Sequence, residues 1–276
     1  MTSRTQSAAA DADAEDGDAV AGETVLRTEG LTRRFGELVA VDDVSISVTE
    51  GELRAIIGPN GAGKTTTFNC ITGVMTPSEG VVYFRDEVIT DLPEERRPHL
   101  GLARSFQANQ LFADETVLEN VRVAVQTERL GTFSLKLLGE GREYCVDRAY
   151  ELLDLLGIRS VADTEAANLS HGDQRRLGIA MTLATDPDVL LLDEPTSGMS
   201  PSATADTADL IEDIQEDLDL TVVLIEHDMD VVLSISDRIT VLHRGAELAT
   251  GTPEQIRQNE NVQDAYLGGL REEVDV

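Results

Sequence analysis

The residues with the clearest chemical potential in this sequence form the stretch GPNGAGKTT at residues 58–66. The stretch matches the phosphate-loop pattern G-x-x-x-x-G-K-[ST] in full. Its glycines leave the backbone free to curl, so that successive N–H groups can point at phosphate oxygens. We therefore expect the whole loop to bind the phosphates of a nucleotide, through Gly58, Pro59, Asn60, Gly61, Ala62, Gly63, Lys64, Thr65 and Thr66.

Two side chains of this loop have distinct roles in such a site. Lys64 can reach the β- and γ-phosphates, and the hydroxyl of Thr65 can bind a Mg²⁺ ion that bridges them. The alternative is a glycine-rich turn without a ligand. The full match, with the lysine and the threonine in place, favours phosphate binding.

Polar residues also follow two apolar stretches further along the chain. Asp193 and Glu194 come directly after residues 189–192, and His227 follows soon after residues 221–225. An aspartate in this position can order the Mg²⁺ shell, and the next carboxylate can polarise an attacking water. His227 could contact the γ-phosphate or could be a structural histidine. The phosphate loop and the acid pair together favour the first interpretation.

The elements that must position these residues are strands that alternate with helices. Residues 53–57 are short and apolar, as in a buried strand, and residues 65–74 have the periodicity of a helix. The unbroken apolar stretches 189–192 and 221–225 are typical of parallel strands covered on both faces. The sequence therefore predicts an α/β fold with an open, mostly parallel sheet, whose ligands bind at the carboxyl ends of its strands.

Other segments predict an antiparallel β region and an inserted helical subdomain. Strand-like patterns occur at residues 25–28, 39–48 and 80–84, and helical patterns at about 116–130 and 142–156. We place the helical subdomain at about residues 108–178 of a domain that spans residues 24–276. Residues 1–22 form a predicted disordered acidic tail, because they contain too few apolar side chains to offset the entropy of ordering.

The charge of the chain restricts its partners. There are 52 acidic and 22 basic residues, a net charge of −30, and no basic stripe that could displace phosphate counterions, so nucleic acid is not expected as a partner. Repulsion among so many acidic side chains would strain a compact fold in dilute buffer, but about 1 M salt shortens the screening length to about 3 Å. The composition therefore resembles that of halophile proteins. An ordinary acidic protein with a charged tail is the alternative, but the first 23 residues hold only six of the acids.

Together, the motifs resemble those of the ATP-binding subunits of ABC transporters over residues 24–276. By that resemblance residues 58–66 are the Walker A loop, residues 189–194 are Walker B and His227 is the switch histidine. Phe35 resembles the aromatic residue that stacks on the base, although a ring packed beneath a hairpin is the alternative. The resemblance implies a P-loop NTPase fold of the ABC type that binds ATP and Mg²⁺.

Two further motifs are carried over by the resemblance. Gln107, in RSFQANQLF, resembles the Q-loop glutamine that senses Mg²⁺, water and the membrane partner. LSHGDQR at residues 169–175 resembles the signature sequence, whose Ser170 and Gly172 would contact the γ-phosphate bound by an opposite subunit. Ser170 could equally serve as a helix N-cap. The implied catalytic residues are Glu194, His227, Gln107 and Lys64, and the implied metal residues are Thr65, Gln107 and Asp193.

Three positions depart from the family pattern. His171 and Asp173 stand where the signature usually has glycine and glutamine, and Ser200 stands where the loop after Walker B usually has aspartate. The first two changes are tolerable because Ser170 and Gly172 are present. Ser200 bears on how tightly hydrolysis at two paired sites is coupled.

Within the family, three stretches resemble the ATPases of branched-chain amino-acid importers: residues 68–73, 104–112 and 251–269. This resemblance implies two membrane permease subunits and an identical or non-identical sister ATPase as partners. An extracellular substrate-binding protein would take part indirectly. We expect a peripheral location at the cytoplasmic face of the membrane, because the sequence has no secretory signal and no run of about 18 apolar residues.

Other functions compete with this one. The cargo could be urea, another amino acid or an exported lipid. The resemblance to lipopolysaccharide-export ATPases is weaker than the resemblance to branched-chain amino-acid importers. A soluble ABC protein that acts on ribosomes or DNA is disfavoured by the single cassette and the acidic surface. A non-catalytic regulatory cassette is disfavoured by the intact set of Lys64, Asp193, Glu194 and His227.

Overall fold

The computed structural model describes residues 22–105, 110–130 and 140–272. Residues 1–21 of the expected tail and Gln107, the Q-loop candidate, therefore lie outside the described residues. Within the described part, no helix has the length and the apolar character needed to cross a bilayer.

A six-stranded sheet forms the centre of the molecule, in the order β11-β10-β4-β9-β8-β7. Its members are β4 (Leu53–Ile57), β7 (Leu102–Arg104), β8 (Val189–Asp193), β9 (Thr221–Ile225), β10 (Arg238–His243) and β11 (Ala246–Gly251). All neighbours pair in parallel except β11, which pairs antiparallel with β10 at the edge. The prediction of a mostly parallel sheet is confirmed.

A second, antiparallel sheet packs beside it. It contains β1 (Thr24–Phe35), β2 (Leu38–Val44), β3 (Ser47–Thr49), β5 (Glu79–Phe84) and β6 (Glu87–Val88). The single strand predicted over residues 39–48 is wrong, because the ladder with β1 is interrupted after Val44 and resumes only at Ser47, so the chain divides into β2 and β3. Strand β1 also continues through Phe35, since it pairs with both β2 and β5.

Eight helices pack around the sheets in the described part of the chain. They are α1 (Lys64–Thr72), α2 (Val117–Leu130), α3 (Glu140–Leu155), α4 (His171–Leu183), α5 (Pro201–Leu218), α6 (Met229–Ile235), α7 (Pro253–Gln258) and α8 (Glu260–Glu272). Helices α2, α3 and α4 contact one another, and α2 and α3 follow the predicted helical patterns. Val117, Val121 and Val125 recur at four-residue intervals on α2 and are buried, which explains its packed face.

The core lies on both faces of the central sheet. Because side chains alternate along a strand, Leu190 and Leu192 pack with the helical layer, whereas Val189 and Leu191 pack with α1 and the antiparallel sheet. This double coverage explains the unbroken apolar sequences of the central strands. Parallel pairing of β9 with both β4 and β8 aligns the carboxyl ends of these strands, so that the loops after them meet at one end of the sheet.

Candidate nucleotide-binding and catalytic site

The phosphate-loop candidate connects β4 to α1, as the motif requires. Two of its glycines are needed because other backbone segments approach closely. A Cβ at Gly58 would lie 2.2 Å from the carbonyl oxygen of Leu242. A Cβ at Gly63, where φ is +100°, would lie 2.6 Å from the carbonyl oxygen of Ala40. The loop is thus packed between β10 and β2 in a conformation that side chains would prevent.

Lys64 is the first residue of α1, and its side chain folds back into the loop. Its Nζ donates to the carbonyl oxygens of Gly58 at 2.7 Å and of Pro59 at 3.3 Å. Burial lowers the pKa of Lys64, and the nearby charge of Glu194 acts in the opposite direction. The ammonium group is therefore held at the centre of the loop, where it interacts electrostatically with Glu194.

The rest of the loop forms an accessible rim around this ammonium group. Asn60, Gly61 and Thr65 are exposed, and Thr66 is half-buried. Ala62 is buried, and its backbone N–H donates to the carbonyl oxygen of Pro59 at 3.1 Å. The predicted loop residues therefore lie together, with the outer ones open to a ligand.

Asp193 ends β8 and is paired with a residue that sequence reasoning missed. Its Oδ2 lies 2.5 Å from a guanidinium nitrogen of Arg104 at the end of β7. Arg104 also donates to Oδ1 of Asn69 at 2.9 Å and covers the ring of Phe68, both on α1. Arg104 thus joins three elements of the site. Its only sequence signal is its place three residues before Gln107.

Glu194 begins the loop after β8 in a left-handed conformation, with φ of 48°. Its backbone N–H donates to the carbonyl oxygen of Ile225 at 2.9 Å, which ties this loop to the end of β9. Thr65, Asp193 and Glu194 line one cavity of about 520 Å³, which Arg175 of α4 also lines. The structure therefore brings together the residues predicted for the metal and the attacking water.

His227 follows β9, and its imidazole is largely exposed. It is not among the residues that line the cavity around Glu194. Its backbone N–H donates to Oε2 of Glu226 at 3.1 Å, and Glu226 is fully buried. Glu226 also binds Thr196, in the loop that Glu194 begins. Sequence reasoning missed both Glu226 and Thr196, since neither belongs to a motif that it used.

The signature candidates lie at the start of α4. Ser170 is the N-cap: its Oγ accepts from the backbone N–H of Asp173 at 3.1 Å and donates to the Asp173 carboxylate at 2.7 Å. The capping role of Ser170 is therefore confirmed, and the departure at Asp173 has a local role in it. Ser170 and His171 are exposed and Gly172 is half-buried. Contact of Ser170 and Gly172 with a γ-phosphate stays a prediction.

Two other predicted positions have clear local settings. Ser200 is the N-cap of α5, where its Oγ accepts from the backbone N–H of Ala203 at 3.4 Å. Phe35 ends β1 with 44% of its surface exposed, and the guanidinium of Arg33 lies 4.9 Å from its ring centre. The ring is therefore not enclosed beneath the hairpin, and much of it is accessible.

The residues at this edge fit a Mg²⁺ ion. Thr65 offers a hydroxyl oxygen and Asp193 a carboxylate oxygen in the same cavity, which are the hard oxygen donors that Mg²⁺ prefers. Across residues 22–105, 110–130 and 140–272, no cluster of three or more His, Cys, Asp or Glu forms a complete metal cage. Such a pair suits an ion whose remaining ligands are water and phosphate oxygens.

Comparisons with known proteins agree with this geometry. A family model described as ABC transporter matches residues 41–197. A second model, described as branched-chain amino acid ATP-binding cassette transporter, matches residues 247–270. The high-affinity branched-chain amino acid transport ATP-binding proteins LivG of Escherichia coli K12 and BraF of Pseudomonas aeruginosa are each 43% identical to this chain, over 88% of it and 98% of the relative.

Solved structures show the same likeness. A nucleotide-free ATP-binding cassette from an ABC transporter has a TM-score of 0.76 at 32% identity, with 88% of this chain and 98% of that chain covered. A dimeric bacterial ABC transporter cassette has a TM-score of 0.71 at 28% identity, with 83% and 98% covered.

Proposed function

This chain belongs to the ATP-binding proteins of ABC transporters, and on that premise we propose that it powers the import of branched-chain amino acids. Its fold is the ABC ATPase cassette, and membership of the family implies ATP binding and hydrolysis coupled to transport.

The observation that carries the cargo class is the match of residues 247–270 to the branched-chain family model. The nucleotide motifs cannot discriminate among cargoes, because every ATPase of this kind needs them. Residues 247–270 lie outside those motifs and form most of β11, all of α7 and most of α8. Ile256 and Val262 are buried in the main core, so this segment is an integral part of the fold.

The proposed chemistry uses groups that the fold holds at one edge of the sheet. Backbone N–H groups of the loop and the Lys64 ammonium group bind the phosphates. Glu194 accepts a proton from the attacking water, and His227, which is exposed, contacts the γ-phosphate. Thr65 and Asp193 would hold a Mg²⁺ ion, which would offset the negative charge of the phosphates.

We also propose that two such chains act together. The exposed start of α4, with Ser170 and Gly172, would complete the site of an opposite subunit, and Phe35 would stack on the base. The sister subunit could be identical or non-identical. Dimeric assembly of a related cassette supports this arrangement.

The membrane partner has a candidate docking site. A groove of about 500 Å³ is lined by Ser105 and Gln110, which flank the segment that contains Gln107, and by Val74 and Arg97. We propose that permease subunits contact this groove and that Gln107 links it to the nucleotide. The chain would then be peripheral at the cytoplasmic face, with a substrate-binding protein outside the cell. Residues 24–276 would form the ATPase, with its helical subdomain at about 108–178 and a tail at 1–22.

Uptake measurements test this function. A strain that lacks this chain should fail to accumulate labelled leucine, isoleucine and valine through the high-affinity route. The wild-type chain should restore uptake and Lys64→Ala should not, although both are produced equally. Normal uptake of all three in the deleted strain would contradict the cargo class. If the deleted strain instead lost urea uptake, the uptake of another amino acid or the export of a lipid, that compound would be assigned as the cargo.

A further inference from the structure

Glu226 is a buried carboxylate that directly precedes His227 and binds the loop that carries Glu194. Its surface is fully buried. Oε1 accepts from the backbone N–H of Thr196 at 2.8 Å and from its hydroxyl at 2.7 Å. Oε2 accepts from the backbone N–H of His227 at 3.1 Å. Glu226 therefore links its own segment, which continues into His227, to the loop after β8 through the two bonds from Thr196.

These bonds add to a second link between the same strand ends. The backbone N–H of Glu194 donates to the carbonyl oxygen of Ile225, so the loop after β8 already contacts the end of β9. The loop is also held from α4, because a guanidinium nitrogen of Arg175 donates to the carbonyl oxygen of Pro195 at 2.7 Å. A continuous series of hydrogen bonds thus runs from the helix of the signature sequence, through Pro195, Thr196 and Glu226, to the backbone of His227.

The burial of Glu226 gives these bonds their importance. A carboxylate removed from water must have its oxygens satisfied by donors, and the donors here come from the two loops. If the loop after β8 moved away, Oε1 of Glu226 would lose both Thr196 donors and a buried group would be left unsatisfied, which costs more than an ordinary hydrogen bond contributes. The two loops are therefore held in one relative position.

We propose that Glu226 is a positioning residue that fixes Glu194 and His227 relative to each other for hydrolysis. The proposal rests on the proposed roles of Glu194 and His227. Glu226 itself does not contact the nucleotide in this account. It sets the distance between the proton acceptor and the histidine because it directly precedes His227 in the chain and is bound to Thr196, two residues after Glu194.

The test compares variants of the full-length chain by ATP hydrolysis, by ATP affinity and by thermal melting. Glu226→Gln keeps the shape but replaces one acceptor oxygen with an NH₂ group that cannot accept. We expect kcat to fall by about tenfold or more while KM for ATP and the affinity for ATP change by less than about twofold. A role confined to stability would lower the melting temperature and the active fraction without lowering kcat per bound ATP.

Thr196 provides a second, milder probe. Thr196→Val removes the hydroxyl donor and keeps the size, so kcat should fall. Thr196→Ser keeps the hydroxyl donor, so its kcat should stay at the wild-type value. The double variant Glu226→Gln with Thr196→Val should be no more than about twofold slower than Glu226→Gln alone, because both changes break the same link. If Glu226→Gln does not fold, the valine and serine pair still decides the question.

Asp237→Asn is a control for the loss of a carboxylate bond away from the loops that carry Glu194 and His227. Asp237 accepts from the backbone N–H of Leu53 at 2.7 Å, at the amino ends of β4 and β10, so this variant also weakens a carboxylate bond between neighbouring strands. It should leave kcat unchanged. Full kcat in both Glu226→Gln and Thr196→Val would overturn the positioning role. Full kcat in Glu194→Gln would instead overturn the proposed chemistry, which makes the two failures distinguishable.

Discussion

Arg104 and Asp193 form an ion pair at the carboxyl edge of the central sheet, with 2.5 Å between the guanidinium nitrogen and the carboxylate oxygen. Their side chains are only 18% and 13% exposed. The pair joins β7 to β8, and Arg104 extends the link to Asn69 on the helix that follows the phosphate loop. Arg104 of β7 therefore orients Asp193, the candidate metal ligand.

We expect Arg104→Gln to destabilise the protein by about 1–3 kcal/mol, because it leaves a mostly buried carboxylate without its charged partner. Urea unfolding measures this difference. Arg257→Gln is the control, since Arg257 pairs with Glu254 at 2.9 Å with both side chains exposed, and should cost at most about 0.5 kcal/mol. Equal losses in the free energy of unfolding for the two variants would show that the Arg104 pair stabilises the protein no more than an exposed ion pair.

Gly63→Ala should weaken ATP binding by at least about tenfold, or about 1.4 kcal/mol. The added Cβ would meet the Ala40 carbonyl oxygen at 2.6 Å, so the loop must move and its N–H groups would no longer point at the phosphates. Gly51→Ala is matched in backbone strain, with φ of +74°, but its Cβ would make only an ordinary contact at 3.7 Å. Titration with a fluorescent ATP analogue should separate the two, and unchanged affinity in Gly63→Ala would contradict the packed-loop account.

The motifs that sequence could locate are local. The phosphate loop, the polar ends of β8 and β9 and the N-cap at Ser170 each depend on neighbours within a few residues. The pair of Arg104 with Asp193 and the bonds from Thr196 to Glu226 join residues that are distant in the chain. Such contacts depend on which strands are neighbours in the sheet, and periodicity does not specify this order.

The error over residues 39–48 has a related cause. Alternating apolar residues predicted one strand, but β2 ends at Val44 and β3 begins only at Ser47. Leu31 pairs with Val44, and Thr28 binds the backbone of both Val44 and Ile46. Tertiary pairing to β1 therefore overrides the local pattern, which the sequence of the segment alone does not show.

Glu194→Gln should retain ATP binding and reduce hydrolysis by on the order of 10²-fold or more, because the amide cannot accept the proton of the attacking water. Phosphate release at saturating ATP measures this. Glu247→Gln, on the exposed side of β11, should hydrolyse ATP at the wild-type rate. A Glu194→Gln chain with near wild-type turnover would remove Glu194 from the role of general base.

The thermal midpoint should rise with salt. The net charge of −30 causes repulsion between carboxylates, which about 2 M KCl screens far more strongly than about 0.1 M KCl. Thermal melts at both concentrations, with sucrose as a control for general solute effects, would decide the matter. A midpoint that does not rise with KCl would contradict the halophile interpretation.

The central claim is that ATP hydrolysis by this chain powers the import of branched-chain amino acids. The most direct measurement is ATP hydrolysis by the chain purified with its permeases, in lipid vesicles that contain the substrate-binding protein. We predict that leucine, isoleucine or valine raises the rate severalfold, that urea does not, and that Lys64→Ala abolishes the response. A rate that is the same with and without branched-chain amino acids would contradict the account.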